Sequence, residues 1–302
     1  MKILITGGTG LIGSALTRTL LEADHDVFIL SRSPTEAVAP NGAKIYGWDG
    51  ETDRGWGQFV EQADAVVNLA GENIGAGRWS EERKERILQS RVRAGKVVVE
   101  AIRNAKDKPA VLIQASAVGY YGVHGDEMID ESAPAGDDFL AGVAKAWEES
   151  TKPVEELGIR RVIIRSGIVL DPNRGALPRL LRPFRLFAGG PLGSGAQWMP
   201  WIHWQDEVGA ILHLLKDPGA SGVYNLCAPE PVRNADFGKA VSRVLKSPYW
   251  MPAPAFVLRL LLGEMSTLVL DGQRAVPLRL MNNGYRFKFE KVDKALLDLL
   301  KR

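Results

Sequence analysis

The sequence predicts an α/β protein: a Rossmann-type, doubly wound, mostly parallel sheet with a smaller C-terminal lobe on its substrate side. Three observations predict it. An apolar run, Lys2–Thr6, passes through a cluster of glycines into a stretch of helical spacing. Runs of strand length then alternate with helical stretches, which requires crossover connections and parallel pairing. After about Gly167 the texture changes, and glycine, proline and tryptophan cluster between Gly175 and Trp204.

Each element has its reason. Lys2–Thr6 is short, apolar and bounded by glycines, the pattern of a buried strand. Leu11–Ala23 carries apolar residues at helical spacing, and Val27–Leu30 and Ala65–Leu69 read as further strands. Ser80–Arg103 is a long charged helix with an apolar stripe at Ile87, Val92 and Val97–Val99. Ala110–Gln114 is a strand, Phe139–Leu157 a helix and Arg161–Arg165 a strand. Val223–Leu226 is one more candidate strand. Asn234–Leu245 is expected to be a helix opening at an Asn cap, Pro254–Gly263 another, and Lys291–Leu300 is amphipathic. The expected organisation is a dinucleotide-binding domain over residues 1–166, to whose sheet later strands can return, and a smaller lobe over 167–302.

Composition limits the functional classes. With 302 residues, 45% hydrophobic and 25% charged, the chain can build a sizeable core without metal or disulfide staples. A net charge of +2 gives no reason to expect a nucleic-acid or membrane partner. Cys227 is the only cysteine and no signal-peptide pattern opens the sequence, so the cytoplasm is the expected compartment. The four histidines are not paired at ligand spacing, and no metal is expected.

The segment Thr6-Gly7-Gly8-Thr9-Gly10-Leu11-Ile12-Gly13 contains G-x-x-G-x-x-G between a predicted strand and a predicted helix. In that context the glycines permit a tight turn, a close approach of the backbone to a pyrophosphate, and close helix–strand packing. Thr9, Leu11 and Ile12 complete the turn, and the helix start offers unpaired N–H groups to an anion. At the end of the second strand an acidic residue would hold a free ribose 2′-hydroxyl, whereas an arginine suits a 2′-phosphate. The sequence has Ser31-Arg32 there, so the expected cofactor is NADP(H), gripped by the Arg32 fork and a Ser31 hydroxyl.

Further stretches carry a resemblance over nearly the whole chain: Asn68-Leu69-Ala70-Gly71-Glu72-Asn73-Ile74, Ser116-Ala117-Val118-Gly119-Tyr120-Tyr121-Gly122, Phe139-Leu140 with Trp147-Glu148, Arg165-Ser166-Gly167-Ile168-Val169-Leu170, Gly189–Gly195 and Pro200-Trp201-Ile202-His203. With the glycine loop they resemble the extended and atypical short-chain dehydrogenases/reductases, and within them the nucleoside-diphosphate-sugar epimerase family, some of whose members are labelled cell-division inhibitors. The tail from Pro252 to the C-terminus resembles that family's own extension. The resemblance implies that Leu69 and Ala70 line the adenosine side, that Arg91 reaches the cofactor, and that Ile168 and Val169 lie near the nicotinamide. Ordinary core packing stays open for the apolar residues, and a solvated helix face for Arg91.

The same family implies a serine followed by Tyr-x-x-x-Lys, in which lysine assists a proton-carrying tyrosine. Ser116 and Lys145 stand at believable positions, but four residues before Lys145 is Ala141. Tyr120 and Tyr121 are the substitutes, assisted by the charge of Lys145. His203 is expected to orient loops, and Asp206 to cap the helix that follows it. Trp198, Trp201 and Arg233 are candidates for holding a small polar substrate. Two functions remain open: an epimerase-like, NADP(H)-dependent oxidoreductase, or an NADP(H)-binding sensor without turnover. The chain is expected to be a monomer or a homodimer.

Overall fold

The computed structural model describes residues 1–301. Seven strands form the main sheet: β1 (Lys2–Thr6), β2 (Asp26–Ser31), β3 (Lys44–Gly47), β4 (Ala65–Asn68), β5 (Val111–Ala117), β6 (Arg160–Ser166) and β7 (Gly222–Leu226). They lie in the order β3-β2-β1-β4-β5-β6-β7, and every pairing is parallel. Chain order runs outward from β1 to β3, then returns to β4. The loops after β1 and β4 therefore diverge at the carboxyl edge, where doubly wound sheets bind ligands.

Apart from the edge strand β3, the strands are largely buried on both faces, so their side chains divide between two cores by the alternation of the pleat. Ile3, Ile5, Val27, Ile29, Val67 and Ile113 face α1 (Leu11–Glu22) and α5 (Trp204–Lys216). Leu4, Phe28, Leu30, Val66 and Leu112 face α2 (Glu81–Asn104), which contributes Val98, Val99 and Ile102. A third core lies in the C-terminal lobe, where α4 (Leu177–Arg185) and α6 (Asn234–Leu245) pack with the final helix Val292–Leu300. The last strand of the sheet and α5 both come from beyond residue 166, so the second half of the chain completes the first.

Several elements differ from the expectation for local reasons. Strand β3 carries no apolar run; it is a half-exposed edge held by Tyr46, whose ring stacks on Phe59 at 3.8 Å. The helix expected over Phe139–Leu157 is α3 (Phe139–Ser150) followed by a 3-10 segment, Lys152–Leu157, with Pro153 in its first turn. Helix α6 is preceded by Arg233 without a side-chain cap, while Asn234 accepts a bond from the Leu192 N–H. The cap of α5 is His203, whose Nδ1 accepts from the Gln205 N–H at 3.1 Å.

Asp206, in the first turn of α5, is buried and serves the C-terminal segment instead. Its carboxylate accepts from the N–H groups of Lys288 and Phe289 at 2.8 and 2.9 Å and from the Tyr285 hydroxyl. His203 meets Asp298 of the final helix at 3.4 Å and stacks on Phe289 at 3.9 Å. Asn225 of β7 donates to the Val276 carbonyl, and Gln273 to that of Val118. The tail is thus stitched to α5, to β7 and to the loop after β5. Among the described residues no helix is long and apolar enough to cross a membrane, and no group of three or more His, Cys, Asp or Glu side chains is placed to hold a metal ion.

Candidate cofactor and substrate site

The glycine loop is built for close approach. Gly7 has φ +68°, and a Cβ there would stand 2.8 Å from the Leu69 carbonyl oxygen at the end of β4. A Cβ on Gly13 would stand 2.3 Å from the Gly7 carbonyl oxygen, so only glycine lets α1 start this close to β1. The N-terminus of α1 has no side-chain cap and no acidic residue in its first turn. Its open N–H groups face a cleft of about 980 Å³, lined by Gly7, Thr9 and Gly10, by Ser31 at the end of β2 and Arg32 beyond it, and by Leu69 and Ala70 after β4. Leu11, Ile12 and Gly13 are not among the residues that line it. Ile12 packs on the sheet core, and Leu11 lies against Gly175. The cradle, the uncapped helix start and an exposed arginine at the cleft's rim fit an extended dinucleotide carrying a 2′-phosphate.

Arg91, Ile168 and Val169, also singled out in the sequence, lie outside this cleft. Arg91 is half-buried, and its guanidinium donates to the carbonyls of Ile87 and Glu72 at 2.9 and 3.0 Å and lies 4.9 Å from the Trp147 ring. It braces the chain after β4 from beneath, so neither a cofactor-lining role nor a solvated helix face describes it. Burial lowers its pKa to about 10. Ile168 and Val169 are half-buried and pack on the C-terminal and sheet cores, pairing in parallel with Trp201 and Ile202.

From Ser116, near the end of β5, the polar residues form one buried chain. The Ser116 hydroxyl donates to Glu148 Oε1 at 2.6 Å. Arg165 of β6 grips the same carboxylate in bidentate fashion, at 2.8 and 2.9 Å, and donates to the Tyr121 hydroxyl at 3.0 Å. Tyr121 in turn donates to Asn225 at 2.7 Å. Burial pushes the Tyr121 hydroxyl up to about 12 despite Arg165 beside it. Desolvation works against the Arg165 charge, but Glu148 and Tyr121 more than offset it and hold the guanidinium above its ordinary value.

This arrangement corrects the expectation for Lys145, which lies on the exposed face of α3 while Ala141, Ala144 and Glu148 face inward. The cation beside the tyrosines is Arg165, 3.3 Å from the Tyr120 ring centroid and 5.0 Å from that of Tyr121. Sequence reasoning missed Arg165 and Glu148 as a pair. The available signal was Arg165 directly after the apolar run Val162–Ile164, since a charge at the end of a buried stretch needs a partner. Ser116 and Tyr121 are committed inside the network. Tyr120 is half-exposed, and its hydroxyl makes no hydrogen bond among the described residues.

The substrate candidates separate. Trp201 is fully buried in the C-terminal core, its indole N–H donating to the Glu230 carbonyl, and it is withdrawn from the site. Trp198 and Arg233 do meet, and Arg274 of the tail joins them. Both guanidinium carbons lie 4.8 Å from the Trp198 ring centroid, and nearby Asp126 takes a 2.6 Å bond from Arg233 and a 2.9 Å bond from the indole. Two positive charges against one carboxylate leave this corner electropositive.

Comparison with known proteins agrees with this architecture. The model of the NAD dependent epimerase/dehydratase family matches residues 3–227, and a domain of unknown function, DUF1731, matches residues 253–299. The chain is 41% identical to epimerase family protein YfhF of Bacillus subtilis, over 99% of this chain and 98% of that one. It is also 41% identical to the chloroplastic SDR39U1 homolog of Arabidopsis thaliana, over 98% and 86%. The crystal structure of human epimerase family protein SDR39U1 (isoform 2) with NADPH superposes with a TM-score of 0.89 at 33% identity, covering 100% of this chain and 99% of that one. By its sequence, its sheet order and its glycine cradle, this chain belongs to the NAD dependent epimerase/dehydratase family, with the DUF1731 domain at its C-terminus.

Proposed function

We propose that the protein binds NADP(H) and carries out epimerase-like hydride transfer on a small, polar, anionic substrate. The observation that carries the reading is the glycine cradle under Leu69, opening on a cleft with Arg32 at its rim. The human relative's structure contains NADPH, which favours the phosphorylated cofactor here. Arg32 and Ser31 hold the 2′-phosphate, the N–H groups of Leu11 and Ile12 at the start of α1 hold the diphosphate, and Leu69 and Ala70 shield the adenosine side. Bound nicotinamide supplies hydride donation or acceptance.

The chain's own residues supply the rest. Tyr120 is the proton-handling hydroxyl, because Ser116 and Tyr121 are held in the Glu148–Arg165 network and Lys145 points to solvent. Arg165 is a positioning residue, fixing the Tyr120 ring by stacking beneath it. Trp198, Arg233 and Arg274 hold the anionic end of the substrate. Purified protein with NADPH, offered carbonyl compounds and sugar nucleotides, should oxidise NADPH with at least one of them, and Tyr120→Phe should lower kcat with KM little changed.

A second reading has its own support. Ala141 and Ala144 occupy the inward face of α3 and carry no proton-transferring group. An NADP(H)-binding sensor without turnover would bind NADPH, show the raised Tm that a ligand of the folded state causes, and leave every compound unreacted.

A further inference from the structure

We infer that Arg174, contributed by the second half of the chain, is a direct ligand of the cofactor diphosphate and the positive charge that the glycine loop itself lacks. The inference rests on the NADP(H) reading. Four arginines line the cleft: Arg32, Arg86, Arg93 and Arg174. Two of them are already neutralised, Arg86 by Glu82 at 2.8 Å and Glu72 at 3.6 Å, and Arg93 by Glu51 at 2.6 Å. Arg32 and Arg174 have no carboxylate within ion-pair distance among the described residues. An NADP molecule brings anionic charge in two places, the 2′-phosphate and the diphosphate. Arg32 stands at the first, after β2; Arg174 stands at the second, beside the start of α1.

The geometry of Arg174 is specific. Its Nη1 donates to the Ser14 hydroxyl at 2.8 Å and the Gly10 carbonyl at 3.2 Å, and its Nη2 to the Thr9 carbonyl at 2.9 Å. Every partner is neutral, so the guanidinium keeps its full charge within one turn of the open N–H groups of α1. One Nη2 hydrogen and the Nε hydrogen remain to donate, a fork suited to phosphate oxygens. The loop that carries it is fixed. Asp171 Oδ1 accepts from the N–H groups of Asn173 and Arg174 at 2.8 and 2.9 Å. Gly175 turns with φ +73° where a Cβ would stand 2.7 Å from the Leu11 side chain. A helix start supplies only partial charge; Arg174 supplies a whole one, and it ties the loop after Leu170 to the cofactor.

The alternative is that Arg174 is a strut for the loop and meets no ligand. Calorimetric titration of the full chain with NADPH and with adenosine 2′-monophosphate, which carries the 2′-phosphate but no diphosphate, separates the two. Arg174→Gln should weaken NADPH about tenfold, as loss of a charged hydrogen bond does, and flatten the salt dependence of its Kd, while 2′-monophosphate binding stays within about twofold. Ser14→Ala removes the strut's shortest anchor and keeps the charge, so its NADPH affinity should stay near wild type. Equal weakening of both ligands by Arg174→Gln, an unchanged NADPH affinity, or a matching loss in Ser14→Ala would each overturn the assignment. If wild-type protein bound neither ligand, the NADP(H) reading would fail first, a result distinct from all of these.

Discussion

Glu207 gives the most quantitative test of the interior. It lies in the first turn of α5, fully buried, with Oε1 accepting a 2.5 Å bond from the Ser166 hydroxyl and Oε2 without a partner. Burial pushes its pKa from 4.5 to about 8, because an ionised carboxylate there would be desolvated with one hydrogen bond to compensate. The folded state therefore holds a proton that the unfolded chain releases above its ordinary carboxylate range. Between 4.5 and about 8 the folded state binds more protons, so stability falls as pH rises, with the full contribution present below 4.5. At ~1.4 kcal/mol per unit, that window corresponds to ~5 kcal/mol as an upper value. Glu207→Gln keeps an acceptor for Ser166 and cannot ionise. Urea unfolding of both proteins at several pH values should give a stability difference that moves in favour of the variant by ~1.4 kcal/mol per unit across this window. Taking the difference removes every other titrating group. A difference that stays flat from pH 5 to pH 8 would refute the claim that Glu207 is buried as the neutral acid.

Other perturbations read other parts of the structure. Glu148→Ala leaves the Arg165 charge buried without its carboxylate and should cost ~3–5 kcal/mol in chemical denaturation; a loss below ~1 kcal/mol would show that the pair is solvated. Gly13→Ala places a methyl 2.3 Å from the Gly7 oxygen and should cost ~1–3 kcal/mol, with a large loss of NADPH affinity by titration. Tyr120→Phe should keep the wild-type Tm while lowering kcat, whereas Tyr121→Phe, which removes bonds to Arg165 and Asn225, should lower Tm. If Tyr121→Phe alone abolished turnover with Tm intact, the assignment of Tyr120 would be wrong.

The parts legible in the sequence were those with strong local patterns. The buried strands β1, β4 and β5 are largely apolar runs, β6 has the apolar centre Val162–Ile164, and the glycines flag a turn whose positions 7 and 13 leave no room for a side chain. Strand β3 was illegible because Lys44–Gly47 is a half-exposed edge without period or apolar run, and it exists only through pairing with β2. Lys145 was misplaced for a different reason. Position along the chain gave no rotational phase for α3, and one residue's shift on a helix moves a side chain about 100° around the axis. Trp201 was a substrate candidate beside Trp198, yet pairing of its strand with Ile168–Leu170 draws it into the core. Arg174 and Arg274 reach the site through tertiary contacts with no local motif, so only the folded chain identifies them.

The central claim is that this cleft selects NADP(H) through Arg32. Its most direct test is titration of wild-type protein and Arg32→Ala with NADPH and NADH. The expected result is a clear wild-type preference for NADPH, and in the variant a loss of at least about tenfold for NADPH with NADH binding little changed, as removing a charge-assisted phosphate contact requires. Equal affinity of the wild type for both cofactors, or an equal loss of both in Arg32→Ala, would contradict it.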